Sequence, residues 1–483
     1  MRTSLASLSL AAASLFAAEP LFDTADLAIG ETAELRPAGG RPVRVKLVAV
    51  NETTDPVARA VREAAVTVEV NGKRTRLVCG NYELPKTAGA VQIDCPVTGG
   101  YRANTTDDHW GLKKDARIRV WRKGSPWMQD GEFGFPLKQR WLATHTQMAN
   151  EPTYVDRGER HERKRVYYHA GLDQGGAEGL TEVVAATGGL VVSLGNDVMP
   201  GHSAKPVAKR YDVIYLLDSR GWYYRYSHLY SFEPGLKLAQ RVKRGDRLGL
   251  LGKEGGSGGW SHLHFEAVAK QPSGEWGTQE AFAFLWEAAI REQKPDAIAV
   301  ARPHRIAVVG EPVTLDGSKS WSRTGRIAKY EWTLENGEKT LGARVERRYS
   351  KPGTYSEVLK VIDSKGSVAY DFATVNVLSP GQPGRDPITI HAAFHPTQDI
   401  RAGQLIQFLG RTFGTTAGEE SWDFGDGSPV RTTRSDGNVK SLARDGYARI
   451  EHAYSKPGDY LVKVGRVSEN GIAATAHLWV RVQ

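Results

Sequence analysis

Five residues in three short strings have the types and spacing that could do chemistry. In SHLHFE, residues 261–266, His262 and His264 are two apart in a run that reads as a strand. Successive strand side chains alternate between faces, so both imidazoles lie on one face, as a strand offers a metal site. RVYYHAGLD, residues 165–173, places His169 and Asp173 four apart. Val166, Tyr167 and Tyr168 favour strand there, and Gly171 with the Gly175-Gly176 pair breaks any helix. Imidazole and carboxylate together suit a borderline cation such as zinc. YRYSHLY, residues 224–230, sets His228 at the end of an aromatic, alternating segment. Taken singly, each histidine is equally a hydrated surface imidazole or a core histidine with a backbone partner.

The conjunction is more specific. H-x-x-x-D, then Y-S-H-L, then S-H-L-H-F-E, in this order within about one domain's length, resembles the lysostaphin/LytM-type zinc metallopeptidases, which cleave peptides of bacterial peptidoglycan. The similarity covers roughly residues 160–270. It extends to the glycine-valine pattern of Gly179–Gly189 and to RVKRGDRLGLLG, residues 241–252. The resemblance implies His169, Asp173 and His264 as zinc ligands, with His228 and His262 as unligated catalytic histidines. All five positions carry the required residue type, unlike degenerate, non-catalytic relatives. Two departures bear on substrate fit: the loop at residues 196–212 is longer than usual, and Gln174-Gly175-Gly176 follows Asp173 where an apolar strand residue is common.

Three protein ligands leave a fourth position for water, the mark of a catalytic rather than a structural zinc site. The bound water's pKa falls from about 15.7 toward about 7, which makes hydroxide available at neutral pH. His262 is then expected as general base and His228 as oxyanion or proton partner, although their order is open on sequence alone. Glu266 shares the strand face of His262 and His264, as an orienting carboxylate or as a salt-bridge residue at the strand's end.

These residues need rigid elements beneath them. EGLTEVVAATGGLVVSLG, residues 178–195, alternates short β-rich runs around a Gly188-Gly189 turn, which predicts an antiparallel sheet rather than a βαβ unit. Residues 278–296 have helical periodicity, with Thr278 as N-cap and Pro295 closing the element. Ahead of the metallopeptidase segment, VRVKLVAV (43–50), VTVEVNGKRTRLV (66–78) and ARIRVWRKG (116–124) read as strands, and Asn71-Gly72 is a two-residue hairpin signal. This all-β region either packs and spaces or covers the cleft as an inhibitory or substrate-guiding module.

The C-terminal part repeats itself. YSKPGTYSEVLKVIDSKG (349–366) matches YSKPGDYLVKVGRVSENG (454–471), with a tryptophan strand upstream of each. Two immunoglobulin-like β-sandwiches follow. Trp422–Gly427 and Tyr454–Tyr460 resemble PKD-type domains. The first copy departs from the pattern, with Thr333–Gly337 where D-F-G-D-G would stand. Trp332 and Trp422 are expected in the cores rather than stacked on ligands.

The predicted architecture is mainly β. It comprises a signal peptide (1–18), an N-terminal all-β domain (19–145), an antiparallel-sheet metallopeptidase domain (146–296) and two PKD-like sandwiches (297–379 and 388–483), separated by a Pro/Gly linker at 379–387. At 483 residues, several domains are expected. One arginine and an alanine-rich apolar stretch open the chain, which predicts export. No other apolar run is long enough to span a bilayer, so stable membrane insertion is not expected. Cys79 and Cys95, the chain's 2 cysteines, are expected to form a disulfide worth on the order of 3 kcal/mol. They lack CxxC or CxxH neighbours and so carry no metal-site signal.

A net charge of +9 draws the protein to anionic envelopes and glycans. RGERHERKR, residues 157–165, reads as a basic patch beside the first metal string. No nucleic-acid motif accompanies the charge. The expected activity is zinc-dependent hydrolysis of peptidoglycan stem peptides or cross-links, with Zn2+ as cofactor, peptidoglycan peptides as partners and the PKD-like domains as spacers or contacts to envelope glycans. The alternatives are a non-catalytic envelope-binding or adhesion protein, and a zinc endopeptidase acting on secreted proteins.

Overall fold

The structure is a computed structural model that describes residues 19–54, 60–102, 108–145, 147–148, 152–153, 167–379 and 387–483. The expected signal peptide (1–18) and basic patch (157–165) lie outside these residues. The chain is mainly β, with 12 residues, Phe282–Gln293, forming the α-helix described.

The N-terminal region is built from two four-stranded antiparallel sheets. In the hairpin joining Val61–Val70 to Lys73–Gly80, Asn71 and Gly72 take φ of 48° and 83°, both left-handed, as the Asn-Gly pair predicts. The expected disulfide is not formed: Cys79 and Cys95 are free, buried cysteines. Burial and the neighbouring Cys95 raise the Cys79 thiol well above its ordinary value, and both side chains are buried in the apolar core of the N-terminal region.

The central sheet orders its strands Asp197–Val198, Gly189–Leu194, Ile214–Leu217, Tyr223–Ser227, His262–Lys270, Leu172–Gly175 and Gln147–Met148, with Arg241–Val242 and Trp276–Gln279 pairing at its sides. All these pairings are antiparallel, as expected. A second sheet pairs Glu182–Val184, Arg247–Leu251 and Leu229–Phe232. Aromatic and branched residues of the central strands, including Tyr224, Tyr226 and Phe265, share one core with Phe284 and Trp286 of the helix. Phe22 and Trp121 of the N-terminal region join the same core, so the two regions are packed as one body.

The helix starts later than its periodicity implied. Ala281 is its N-cap with no side-chain bond, and Thr278 lies instead on the Trp276–Gln279 strand opposite Val268. Lys294 ends it in the left-handed conformation (φ 47°), just ahead of Pro295.

Each C-terminal repeat is a two-sheet sandwich. Trp332 is fully buried among Val313, Leu315, Leu359 and Val375, and Trp422 among Ile390, Phe408, Val462 and Leu478, the core placement expected of both. The sandwiches join through a short parallel contact, Gly353 to Ala473 and Thr354 to Ala474. No helix among the described residues is long and apolar enough to cross a membrane.

Candidate active site

The five chemistry-bearing residues converge at one end of the central sheet. Leu172–Gly175 runs antiparallel to His262–Lys270 with Asp173 opposite His264, and Tyr223–Ser227 flanks the other side with Ser227 opposite His264. His169 follows a two-residue strand and turns into the sheet through Gly171 (φ 88°), where a Cβ would come 2.7 Å from the Phe265 carbonyl and 3.3 Å from the His264 ring. Only glycine fits there without displacing the ligand strand.

His169 Nε2 lies 3.1 Å from Asp173 Oδ1 and 2.9 Å from His264 Nδ1, and His264 Nδ1 lies 2.9 Å from the same carboxylate oxygen. These three atoms form a compact triangle, and all three residues are buried. Two ligand atoms about 2.0 Å from a tetrahedral ion stand roughly 3.3 Å apart, so the triangle fits a small divalent cation after slight expansion. Two nitrogens and a carboxylate oxygen crowded this closely call for a shared positive charge. Accordingly, although burial opposes ionisation, the imidazoles hold the Asp173 carboxyl well below its usual range. For His264, burial opposes charging, but Asp173 and Glu266 prevail and raise its pKa.

His228 and His262 stand beside this triangle with ring centroids 4.5 Å apart. His262 Nε2 is 3.5 Å from Asp173 Oδ2, and its Nδ1 is 2.9 Å from the Trp260 carbonyl. A carbonyl only accepts, so Nδ1 carries the hydrogen and Nε2 presents a lone pair. Burial lowers the His262 pKa to about 3, against the pull of Asp173, which keeps the ring neutral. Trp260 stacks on it at 3.6 Å.

His228 follows its strand in a left-handed conformation (φ 69°), and its N–H donates to Asp212 Oδ2 at 2.9 Å. Its Nδ1 lies 2.6 Å from the Glu254 carbonyl and 3.5 Å from Asp212 Oδ2, two acceptors that fix the hydrogen on Nδ1. Arg210 Nη2 is also 3.2 Å from that nitrogen, but a protonated Nδ1 offers it no lone pair, and Nη2 donates to Asp212 Oδ2 at 2.6 Å. Burial lowers the His228 pKa, with Asp212 opposing.

Glu266 faces the outer side of the ligand set. Its Oε2 is 3.9 Å from His264 Nε2, and its Oε1 accepts the Thr278 hydroxyl at 2.8 Å. Burial alone would raise Glu266, but His264 and Arg225 pull it down to about 2, so the carboxylate is charged. An imidazole with Nδ1 toward a cation and Nε2 toward a carboxylate is the usual orienting arrangement.

All five sequence-predicted residues thus lie together. Asp212, Arg210, Trp260 and Thr278 were not legible as site residues. Asp212 ends the loop already marked as long, which was the one available signal.

Comparison with known proteins places this geometry. Residues 167–274 match the model of peptidase family M23, and residues 293–377 and 395–482 match models of the PKD domain. Collagenase ColA of Clostridium perfringens is 27% identical over 126 residues, 26% of this chain. The chain spans only 11% of that relative's length. Among solved structures, Helicobacter pylori Csd3 in its hexagonal crystal is similar at 18% identity and a TM-score of 0.20, covering 48% of this chain and 55% of that one. The fibronectin(III)-like modules of Clostridium thermocellum CbhA match at 10% identity and a TM-score of 0.15, covering 37% and 90%. The chain therefore carries an M23-family peptidase domain followed by two PKD domains.

Proposed function

We propose that the protein is an exported zinc endopeptidase that hydrolyses peptide bonds of peptidoglycan stem peptides or cross-links. The observation that carries this reading is the triangle of His169 Nε2, Asp173 Oδ1 and His264 Nδ1 with two unligated histidines beside it. The donor set, two nitrogens and one oxygen, suits zinc. Zinc held there supplies a water of lowered pKa and a positive charge near the developing oxyanion.

The remaining chemistry falls to the chain. His262 Nε2, its lone pair aimed inward by the Trp260 carbonyl, takes a proton. His262 then returns that proton to the leaving amine, and His228, whose Nδ1 faces the Glu254 carbonyl and the Asp212 carboxylate, stands beside it as the oxyanion partner. Donation of a hydrogen bond to an oxyanion from His228 Nε2 requires its protonated form, which Asp212 favours.

The peptidoglycan substrate is supported by the resemblance of the three strings to lysostaphin/LytM-type enzymes, and export by the apolar N-terminal stretch. Envelope glycans are the proposed partners of the PKD domains, consistent with a net charge of +9. One observation favours a second reading, action on secreted proteins: the similarity to a protein named a collagenase. Digesting purified sacculi and gelatin side by side, with and without chelator, separates the two. Chelator-sensitive release of peptides from sacculi is expected, and inert sacculi with degraded gelatin would overturn the peptidoglycan assignment.

A further inference from the structure

Both unligated histidines take their tautomer from one loop. Residues 254–261 read Glu-Gly-Gly-Ser-Gly-Gly-Trp-Ser. The Glu254 carbonyl meets His228 Nδ1 at 2.6 Å, and the Trp260 carbonyl meets His262 Nδ1 at 2.9 Å. Four glycines in eight residues, with Gly255, Gly258 and Gly259 at φ of 63°, 70° and 91°, leave such a loop many alternative shapes. Within the peptidase domain it is held at intervals, with Gly176 N donating to the Ser261 carbonyl at 3.2 Å at its end. Gly255 N donates to the Tyr211 hydroxyl at 2.9 Å, and Gly259 N donates to Ser257 Oγ at 3.1 Å.

Around Trp260, the second PKD domain adds three further bonds to the loop. Asn438 Nδ2 donates to the Gly258 carbonyl at 3.0 Å, Arg411 Nη1 to the Gly259 carbonyl at 2.5 Å, and Ser261 N to the Tyr447 hydroxyl at 2.7 Å. These bonds bracket Trp260 on both sides. Arg411 is fully buried, and its other donors are spent inside its own domain, on Asp436 (2.8 and 2.6 Å), Ser441 O (2.8 Å) and Lys440 O (2.9 Å). The Tyr447 hydroxyl also bonds His391 Nδ1 at 2.7 Å, which fixes its direction. The clamp is therefore rigid on the PKD side and reaches backbone atoms that any looser docking would leave to water. A Cβ on Gly259 would come 2.0 Å from the Asn438 side-chain oxygen, so the fit tolerates no larger residue.

We propose that the second PKD domain is part of the catalytic apparatus. Arg411, Asn438 and Tyr447 are positioning residues that hold the 254–261 loop, so that the Trp260 carbonyl keeps His262 with its hydrogen on Nδ1 and its lone pair on Nε2. This rests on the reading of His262 as the proton-transfer residue and His228 as the oxyanion partner. In this protein the sandwich next to the cleft is more than a spacer.

The test uses the full chain with Tyr447→Phe, Asn438→Ala and the double variant. Tyr447→Phe keeps the buried ring and removes the acceptor for Ser261 N–H together with the partner of His391 Nδ1. The double variant is expected to retain one zinc per chain and to lose about ten- to a hundred-fold in kcat on sacculi, the range for outer-shell positioning groups, with KM within about two-fold. Histidine ring 15N spectra, assigned with His262→Ala, should move from a single Nδ1–H pattern to a tautomer mixture. Unchanged kcat together with unchanged ring signals in the double variant would overturn the proposal. Should the wild type be inert on sacculi and gelatin alike, the peptidase reading falls, and the ring nitrogen signals still decide whether the clamp sets the tautomer.

Discussion

Asp173 and His264 face each other across two antiparallel strands, with Oδ1 of the one 2.9 Å from Nδ1 of the other. Strand register alone brings these two proposed ligands together, and His169 arrives from the turn just before Asp173. Removing the His264 imidazole leaves two ligands and a buried carboxylate without its nearest partner. His264→Ala is expected to abolish stoichiometric zinc, measured by plasma emission, and hydrolysis of sacculi together. Full activity in that variant would sink the site assignment.

Gly171 sets the spacing between the first two ligands. Its φ of 88° and the 2.7 Å approach to the Phe265 carbonyl leave no room for a methyl group. Gly171→Ala should push the two ligand strands apart, destabilise the protein by about 1–3 kcal/mol and lower zinc affinity. Chemical denaturation and competition with a chelating dye read the two effects. Wild-type affinity in a folded variant would contradict the geometry.

Thr278 reaches the ligand set through Glu266, which faces His264 Nε2. Thr278→Val keeps the β-branched shape on its strand and frees the carboxylate to rotate. Zinc affinity is expected to fall about ten-fold, the low end for an orienting partner, while the thermal midpoint changes little. A variant that binds zinc like the wild type would reduce Glu266 to a structural salt-bridge residue.

Acid should loosen the junctions that the two PKD domains make with the peptidase region and with each other. Burial lowers His145 and His477 to about 3, with neighbouring positive charge adding to the effect, and lowers His304 well below its ordinary value. The unfolded chain binds protons near pH 6.5 and the folded chain does not, so these groups' contribution is complete above about 6.5 and is lost as pH falls toward 3. Between pH 6.5 and 5 the thermal midpoint should drop steadily, at up to about 1.4 kcal/mol per pH unit per histidine. His145→Gln should flatten that slope by about one proton. A midpoint level across this range would refute the assignment of neutral, buried histidines.

Local sequence determined much of this molecule. Period-two alternation marked the strands, Asn71-Gly72 marked its hairpin, and the paired tryptophan strands marked the sandwiches. These are short-range signals that a chain expresses wherever it folds. The spacing of His169 with Asp173, and of His262 with His264, was enough to nominate ligands because strand geometry turns even spacing into a shared face. The helix start was misread because Thr278 looks like a cap locally, while pairing with Val268 and the Glu266 carboxylate claims it for the sheet. The two cysteines, 16 residues apart, suggested a bond that the core does not make.

Tertiary structure alone decided which groups orient the histidines. Asp212, the Glu254 and Trp260 carbonyls and the three clamp residues lie from 2 to nearly 190 positions from the groups they hold, and backbone carbonyls carry no signature of residue type. Sequence nominated the atoms proposed to bind metal and transfer protons. Long-range packing, which depends on where distant strands and domains meet, decided how those atoms are aimed.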